Sequence, residues 1–391
     1  MKKFVAMLCV AGLLTGCAIG GEKKTENVKP ETPAQTEEKP KTEKPEEKKE
    51  ETAEAEKETA AEETVPDNFK ELFSIEAEGI DYLSIEGIEV PEGTAISMIG
   101  KDSGSGFWKR VKAGAEQAVK DVNAALGYTG NAKIKLTYDA PSGENVSEQI
   151  DIIDQMLDKN PDALIVGYVD VNSGKTQLEL AEANGIPVFA VDSSIQNSLI
   201  VSETKTDNYK AAAEAADKLC ELIGDSGEVA LLVHSSETET GIEREKGFRE
   251  EIEENHPDVT IIDTAYENQD ERSAEEIVAA VMAEHPDLKA YFGTNENVTK
   301  VLATVVPKFA EEDETVIAAG FDASTKLVQA VKNGQLAGVM AQDAFGMGYA
   351  SVVSALRTIA GMENASVVEP AYYWINAENT EDAMTQALTY K

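Results

Sequence analysis

The chain has 391 residues, enough for more than one domain of average size. Acidic residues outnumber basic ones 73 to 35, for a formal net charge of −38. Such a field repels nucleic acid and anionic lipid, so neither is expected as a partner, and solubility accounts for the excess. The three cysteines, Cys9, Cys17 and Cys220, exclude a disulfide framework, and no metal-ligand spacing accompanies them.

In chain order, Met1-Lys2-Lys3 supplies positive charge and Phe4 to Leu14 a short apolar run. The run is too short to cross a bilayer as a helix and matches the first two regions of a secretory signal. Leu14-Thr15-Gly16-Cys17 follows and resembles the lipobox of bacterial lipoproteins. That resemblance implies cleavage before Cys17, a lipid on its sulfur, and an extracytoplasmic protein anchored to the cell membrane. The alternative is an ordinary signal peptide with a chance cysteine.

Residues 18–65 are dominated by Glu, Lys, Pro, Thr and Ala. They cannot bury enough apolar surface to offset ordering entropy and predict a disordered tether reaching about 40 Å. Residues 66–93 form an N-terminal extension with apolar positions at Leu72, Ile80, Leu83 and Ile88. They predict an extra strand or a helix packed on the following domain.

From Ala95 onward, short apolar runs rich in β-branched residues alternate with helical patterns. Strands are expected at 96–99, 134–138, 163–166, 188–191, 229–233, 260–264, 290–292, 316–319 and 337–340. Helices are expected between them, such as 108–125 with Val111, Ala115, Ala118 and Val122 on one stripe. Ala183-Asn184-Gly185-Ile186-Pro187 and Lys332-Asn333-Gly334 supply stop signals. The alternation predicts an α/β fold of two Rossmann-like parallel-sheet lobes. A ligand cleft would lie between them, beyond the carboxyl ends of the strands. Cys220, on a helix, reads as a buried small hydrophobe.

The residues that follow the expected strands are therefore the informative ones: Lys101, Asp102, Ser105, Phe107, Trp108, Asp192, Ser193, His234, Thr240, Arg244, Gln269, Asn295, Asp322 and Gln342 stand among them. Carboxylates, carboxamides and a guanidinium can each engage two neighbouring hydroxyls, and an aromatic face suits the C–H face of a sugar ring. Gly104-Ser105-Gly106 completes neither a dinucleotide fingerprint nor a P-loop, so no cofactor is expected. Of Phe107 and Trp108, one is expected in the core and at least one against a ligand. His256 and His285 each precede Pro-Asp in a polar turn and read as structural. His234 beside Ser235 and Ser236 lacks the third group of a nucleophilic site. Asp192 and Asp322 could in principle pair as in a glycosidase, but hydroxyl binding explains the same positions.

Phe107-Trp108, Val191-Asp192 after Ile186-Pro187-Val188, Arg244 with Gly247-Phe248, His285-Pro286-Asp287, Asn295-Glu296, Gly320-Phe321-Asp322, Gly334-Gln335-Leu336 and Gln342 occur in this order. In that order they resemble the periplasmic sugar-binding proteins of the ribose-binding type, the solute receptors of ABC importers. The resemblance spans residues 95–375 and implies sugar contacts at Ser105, Phe107, Trp108, Asp192, Arg244, Asn295, Asp322 and Gln342, with Gln269 near the cleft. The sequence departs from that pattern at Lys101 and at Ser193, where the ribose receptors have a small polar residue and a second arginine. Lys101, Tyr138-Asp139-Ala140-Pro141 and Val191-Asp192-Ser193-Ser194 also resemble receptors for a furanosyl autoinducer, so Lys101 and Ser193 join the expected site.

The resemblance further implies a three-strand hinge. It gives an N-terminal lobe of 94–203 plus 344–361 and a C-terminal lobe of 204–343 plus 362–391. The implied function is non-enzymatic: a monomer captures a sugar or polyol and presents its closed form to an ABC permease. A sensory receptor for a sugar or the autoinducer, presenting the same closed form to a membrane sensor, is the alternative.

Overall fold

Runs such as Ala163–Val166 and Val188–Val191, apolar at every position and buried at every position, can satisfy their backbone only inside a sheet covered on both sides. The computed structural model describes residues 69–309 and 316–391. The expected signal segment, the expected lipid site at Cys17 and the expected tether lie outside the described residues.

The first elements are α1 (Phe69–Leu72), β1 (Glu76–Ala77) and β2 (Ile80–Asp81). The first lobe follows with β3 (Ala95–Ile99), α2 (Gly106–Leu126), β4 (Lys135–Asp139), α3 (Val146–Leu157), β5 (Ala163–Val166), α4 (Lys175–Ala183), β6 (Val188–Val191) and β7 (Ile200–Thr204). The second lobe contains α5 (Asn208–Ile223), β8 (Gly227–Val233), α6 (Glu239–Asn255), β9 (Val259–Tyr266), α7 (Ala274–Glu284), β10 (Leu288–Gly293), α8 (Glu296–Val305), β11 (Ile317–Phe321), α9 (Thr325–Lys332) and β12 (Gly338–Gln342). The chain then returns through α10 (Ala344–Ile359) and β13 (Val367–Val368) before β14 (Tyr372–Asn376) and α11 (Ala383–Leu388).

Two six-stranded sheets result, ordered β13-β7-β6-β5-β3-β4 and β14-β12-β11-β10-β8-β9. Pairing within them is parallel except for β14, which runs antiparallel to β12. The chain passes between the sheets after β7, after β12 and after β13.

The strand ends and the boundary differ from the sequence expectation. Strands β7, β13 and β14 escape apolar-run reading: β7 carries Ser202 and Glu203, β13 has two residues, and β14 is the aromatic run Tyr-Tyr-Trp-Ile-Asn. Val367 and Val368 pair with Glu203 and Thr204, so the return segment stays with the first sheet past residue 361, the expected limit of that lobe.

The extension is both a one-turn helix and a hairpin rather than one element. It packs on the first lobe, where the Phe69 ring meets that of Phe345 edge-on at 4.6 Å and the Tyr82 hydroxyl accepts from the Ala365 backbone at 2.7 Å.

Helices cover both faces of each sheet. Ile152, Ile153, Met156 and Leu178 from α3 and α4 pack on one face of the first sheet, and α2 and α10 cover the other. Ala211, Ala215, Leu219 and Phe248 from α5 and α6 pack on the second sheet. Cys220 lies fully buried among them, and burial pushes its thiol up to about 12, so it behaves as the expected small hydrophobe.

Helices α2 and α10 approach so closely that a Cβ on Gly114 or Gly348 would collide with the carbonyl oxygen of Phe345 or Val111 respectively. Gly348→Ala is expected to destabilise the protein by about 1–3 kcal/mol through overpacking, read as a lower denaturation midpoint. No helix among the described residues is long and apolar enough to cross a membrane.

Candidate functional site

The carboxyl ends of both sheets face a single cavity, about 110 Å³ when measured for the centres of water-sized spheres. From the first lobe it is lined by Lys101, Ser105, Phe107, Trp108 and Asp192. From the second it is lined by Arg244, Asn295 and Asp322, and Gln342 stands at the end of β12 where the chain recrosses.

Local structure aims these side chains. Ser105 caps α2, its hydroxyl accepting from the Trp108 amide at 3.4 Å, so the helix starts with both aromatic rings beside the cavity. The Trp108 ring lies across the backbone of Gly100 and Gly167, where a Cβ on either residue would collide with it. The Phe107 ring stands nearly perpendicular to that of Trp108 at 5.7 Å. Both rings are more than nine-tenths buried and both line the cavity, so neither is core alone.

Asp192 and Asp322 occupy equivalent places, just after β6 and β11, and both take left-handed backbone conformations with φ of 65° and 79°. Aspartate at positive φ is strained, and such strain persists where the fold over-determines a functional geometry.

Two carboxylates face the buried Lys101 ammonium. Lys101 Nζ lies 3.0 Å from Asp192 Oδ2 and 3.8 Å from Glu144 Oε1. Burial pulls the Lys101 ammonium pKa down, but Asp192 and Glu144 outweigh it and hold it above its ordinary value. Burial raises the Glu144 carboxyl, against the pull of Lys101.

Across the cavity Arg244 Nε donates to Asn208 Oδ1 and Nη1 to the Thr294 carbonyl, both at 2.8 Å. Its guanidinium lies 4.0 Å from the Phe321 ring centroid, and Nη2 is buried with no partner. Asp322 Oδ2 accepts from the Glu296 amide at 2.8 Å and Oδ1 from Gln342 Nε2 at 2.7 Å. Gln342 Oε1 in turn accepts from the Thr206 hydroxyl at 2.9 Å. Burial pushes the Asp322 carboxyl from the ordinary 3.8 up to about 6, against Arg244 and Gln342.

Contacts also join the lobes across the cleft. The Val171 amide donates to the Glu237 carbonyl at 2.9 Å, and the Ser194 amide to Glu239 Oε2 at 2.6 Å.

Two expected residues fall elsewhere. The turn at Asp192 carries Ser193 into the protein, where it is 1% exposed and its hydroxyl has no partner. Gln269 lies exposed on a short 3-10 turn after β9 and donates to the Ser236 hydroxyl at 2.6 Å, outside the cavity lining.

The cavity also includes Asp102, His234, Thr240 and Glu296, noted from sequence near the strand ends but not among the expected contacts, and Gly143, Glu144 and Asn297, which the sequence did not single out. Glu144 arrives on the loop after β4, five residues beyond the strand end, in a stretch that carries none of the motifs of the sugar-receptor resemblance. Burial, then Lys101 and Arg244, keep His234 well below its ordinary pKa. The neutral ring is bonded to the hydroxyls of Thr294, Thr238 and Thr240.

Comparison with known proteins agrees with this architecture. A D-apiose import binding protein from Actinobacillus succinogenes is 27% identical over 231 residues, covering 59% of this chain and 70% of that protein. A D-ribose/D-allose-binding protein from Pseudomonas aeruginosa is 24% identical over 297 residues, covering 73% of this chain and 90% of that protein. An ABC transporter solute binding protein from Agrobacterium vitis, solved with alpha-D-tagatopyranose, superimposes with a TM-score of 0.69 at 27% identity, over 76% of this chain and 99% of that one. The periplasmic binding protein domain matches residues 96–363, and the chain belongs to that family.

Proposed function

We propose that the chain captures a neutral sugar or related polyhydroxylated small molecule outside the cytoplasm and delivers it, as a monomer, to an ABC importer by hinge closure. A lipid on Cys17 would hold it at the cell membrane. The observation that carries the reading is the convergence of Lys101 and Asp192 from one lobe with Arg244, Asn295 and Asp322 from the other, around two aromatic rings.

A hydroxyl both donates and accepts, so facing carboxylates and a guanidinium suit a vicinal pair, while the ring faces cover C–H groups. The unpartnered Nη2 of Arg244 is a donor awaiting an acceptor. The charge balance favours a neutral guest. Lys101 is already matched by Asp192 and Glu144, which removes the reason to expect an anionic ligand. Relatives named for D-apiose and for D-ribose and D-allose, and a neighbour solved with alpha-D-tagatopyranose, support the same class.

A guest touching both walls favours the closed arrangement, and the three passages of the chain between the sheets are where closure would bend. A thermal-shift screen across pentoses, hexoses, polyols, sugar acids and the furanosyl autoinducer tests the reading. A neutral pentose or hexose is expected to raise the melting temperature. Stabilisation by sugar acids or the autoinducer alone would overturn the neutral-sugar assignment.

The raised Asp322 carboxyl adds a pH signature. Between about 4 and about 6 the folded protein carries a proton on Asp322 that the unfolded chain does not, so stability falls as pH rises through that window. Ligand affinity has the opposite sign, because the ionised carboxylate is the stronger acceptor. Affinity is expected to weaken progressively below about pH 6, up to about tenfold per unit, in calorimetric titrations. An affinity independent of pH between 5 and 8 would contradict a ligand contact at Asp322.

A further inference from the structure

We propose that Asp217, Glu251 and His256 form a binding site for a divalent ion of the zinc class on the outer side of the second lobe. Asp217 lies on α5, Glu251 on α6, and His256 caps the carboxyl end of α6. Arg244 and the cleft lie toward the other end of α6, about 18 Å away along its axis.

The His256 side chain is 9% exposed, yet its Nε2 is buried with no hydrogen-bond partner. Its Nδ1 lies 2.9 Å from Asp225 Oδ1. An ionised carboxylate only accepts, so Nδ1 is the nitrogen that donates to Asp225 and Nε2 is the ring atom turned to the gap, where an ion would take its lone pair. That gap is bounded by Asp217 Oδ1 at 3.6 Å and Glu251 Oε1 at 3.9 Å, and the three donor atoms all lie within 4.8 Å of one another. These separations are too long for hydrogen bonds. They approach the roughly 3.3 Å that separates two donors sharing one tetrahedral ion with bonds of about 2.0–2.1 Å.

Neighbours hold the donors. Asn255 Nδ2 donates to Glu251 Oε1 at 2.8 Å, and Asp217 Oδ2 lies 3.5 Å from Lys218 Nζ. One imidazole with two carboxylates suits zinc and its neighbours better than calcium or magnesium, and Asp225 is the outer partner that fixes the ring. The half-exposed Asp217 leaves room for water to complete the coordination. Sequence spacing does not reveal the group, because its members come from two helices that meet only in the fold. The ion would join α5 to α6 and stabilise the second lobe without touching the cleft.

The test is a calorimetric zinc titration of the full chain after chelator treatment, at neutral pH, with Asp217→Asn, His256→Asn and Asp225→Asn beside the wild type. One site of micromolar affinity or tighter is expected, with a raised melting temperature. Asp217→Asn and His256→Asn should weaken it at least tenfold and Asp225→Asn about 10–100-fold. Asp217 is partly exposed, so its variant keeps the test valid if His256→Asn fails to fold. Zinc binding unchanged in Asp217→Asn, or none tighter than millimolar in the wild type, overturns the proposal and leaves His256 as a buried imidazole paired with Asp225. Sugar binding read on the same samples separates failure of this site from failure of the cleft assignment.

Discussion

Arg244→Ala and Asp322→Ala are each expected to cripple sugar binding, a loss of at least about 30-fold by calorimetry, with the far-ultraviolet circular dichroism unchanged. Both side chains are at least 96% buried and face one cavity. Truncating one member of a buried charged set removes its ligand contact and also leaves its counter-charge unpaired. The cost is typically about 2–5 kcal/mol, or roughly 30-fold to several thousandfold. Arg244→Ala additionally removes the donors to Asn208 Oδ1 and the Thr294 carbonyl, and Asp322→Ala leaves the Glu296 amide and Gln342 Nε2 without an acceptor. Asp322→Asn keeps the shape and one acceptor, so it should lose less affinity than Asp322→Ala and abolish the pH dependence. Near-normal affinity in either alanine variant would reject the cleft assignment.

Trp108→Ala is expected to cost about 3–5 kcal/mol of folding stability, measured by denaturant unfolding, besides weakening ligand binding. The ring is 3% exposed and lies across Gly100 and Gly167, so its removal opens a void beside two backbone segments that carry no side chain to fill it. Trp108→Phe should recover part of both losses, because a smaller ring keeps an aromatic face in the same slot. A stability loss under about 1 kcal/mol would contradict the packing described for this ring.

The sequence made the central strands legible because burial on both faces leaves a simple signature. Ala163–Val166 and Val188–Val191 are uninterrupted apolar runs bounded by stop signals. Once such runs are strands, the residues just beyond them must gather at the sheet ends, which is why Lys101, Asp192 and Asp322 come together at one cavity, joined there by Arg244 from the second turn of α6.

What stayed hidden depends on partners that composition does not record. Strand β7 is held by pairing to β6 and β13 despite Ser202 and Glu203, and β14 by its antiparallel pairing to β12. The two residues of β13 are too few to carry a period, so the sequence does not show that the return segment pairs with the first sheet as far as Val368. Ser193 follows its strand closely, but the left-handed turn at Asp192 redirects it, and backbone handedness at a non-glycine residue is not written in the sequence. Gln269 lies on a 3-10 turn outside the cavity lining, whereas Glu144 reaches the cavity from a loop.

A crystal structure grown with the most stabilising sugar of the thermal-shift screen tests the central claim most directly. The account predicts the sugar between the lobes, with hydroxyls within hydrogen-bond distance of Asp192, Arg244 and Asp322 and a C–H face against Phe107 or Trp108. Electron density for the sugar at any other place, with that cavity filled only by water, would contradict it.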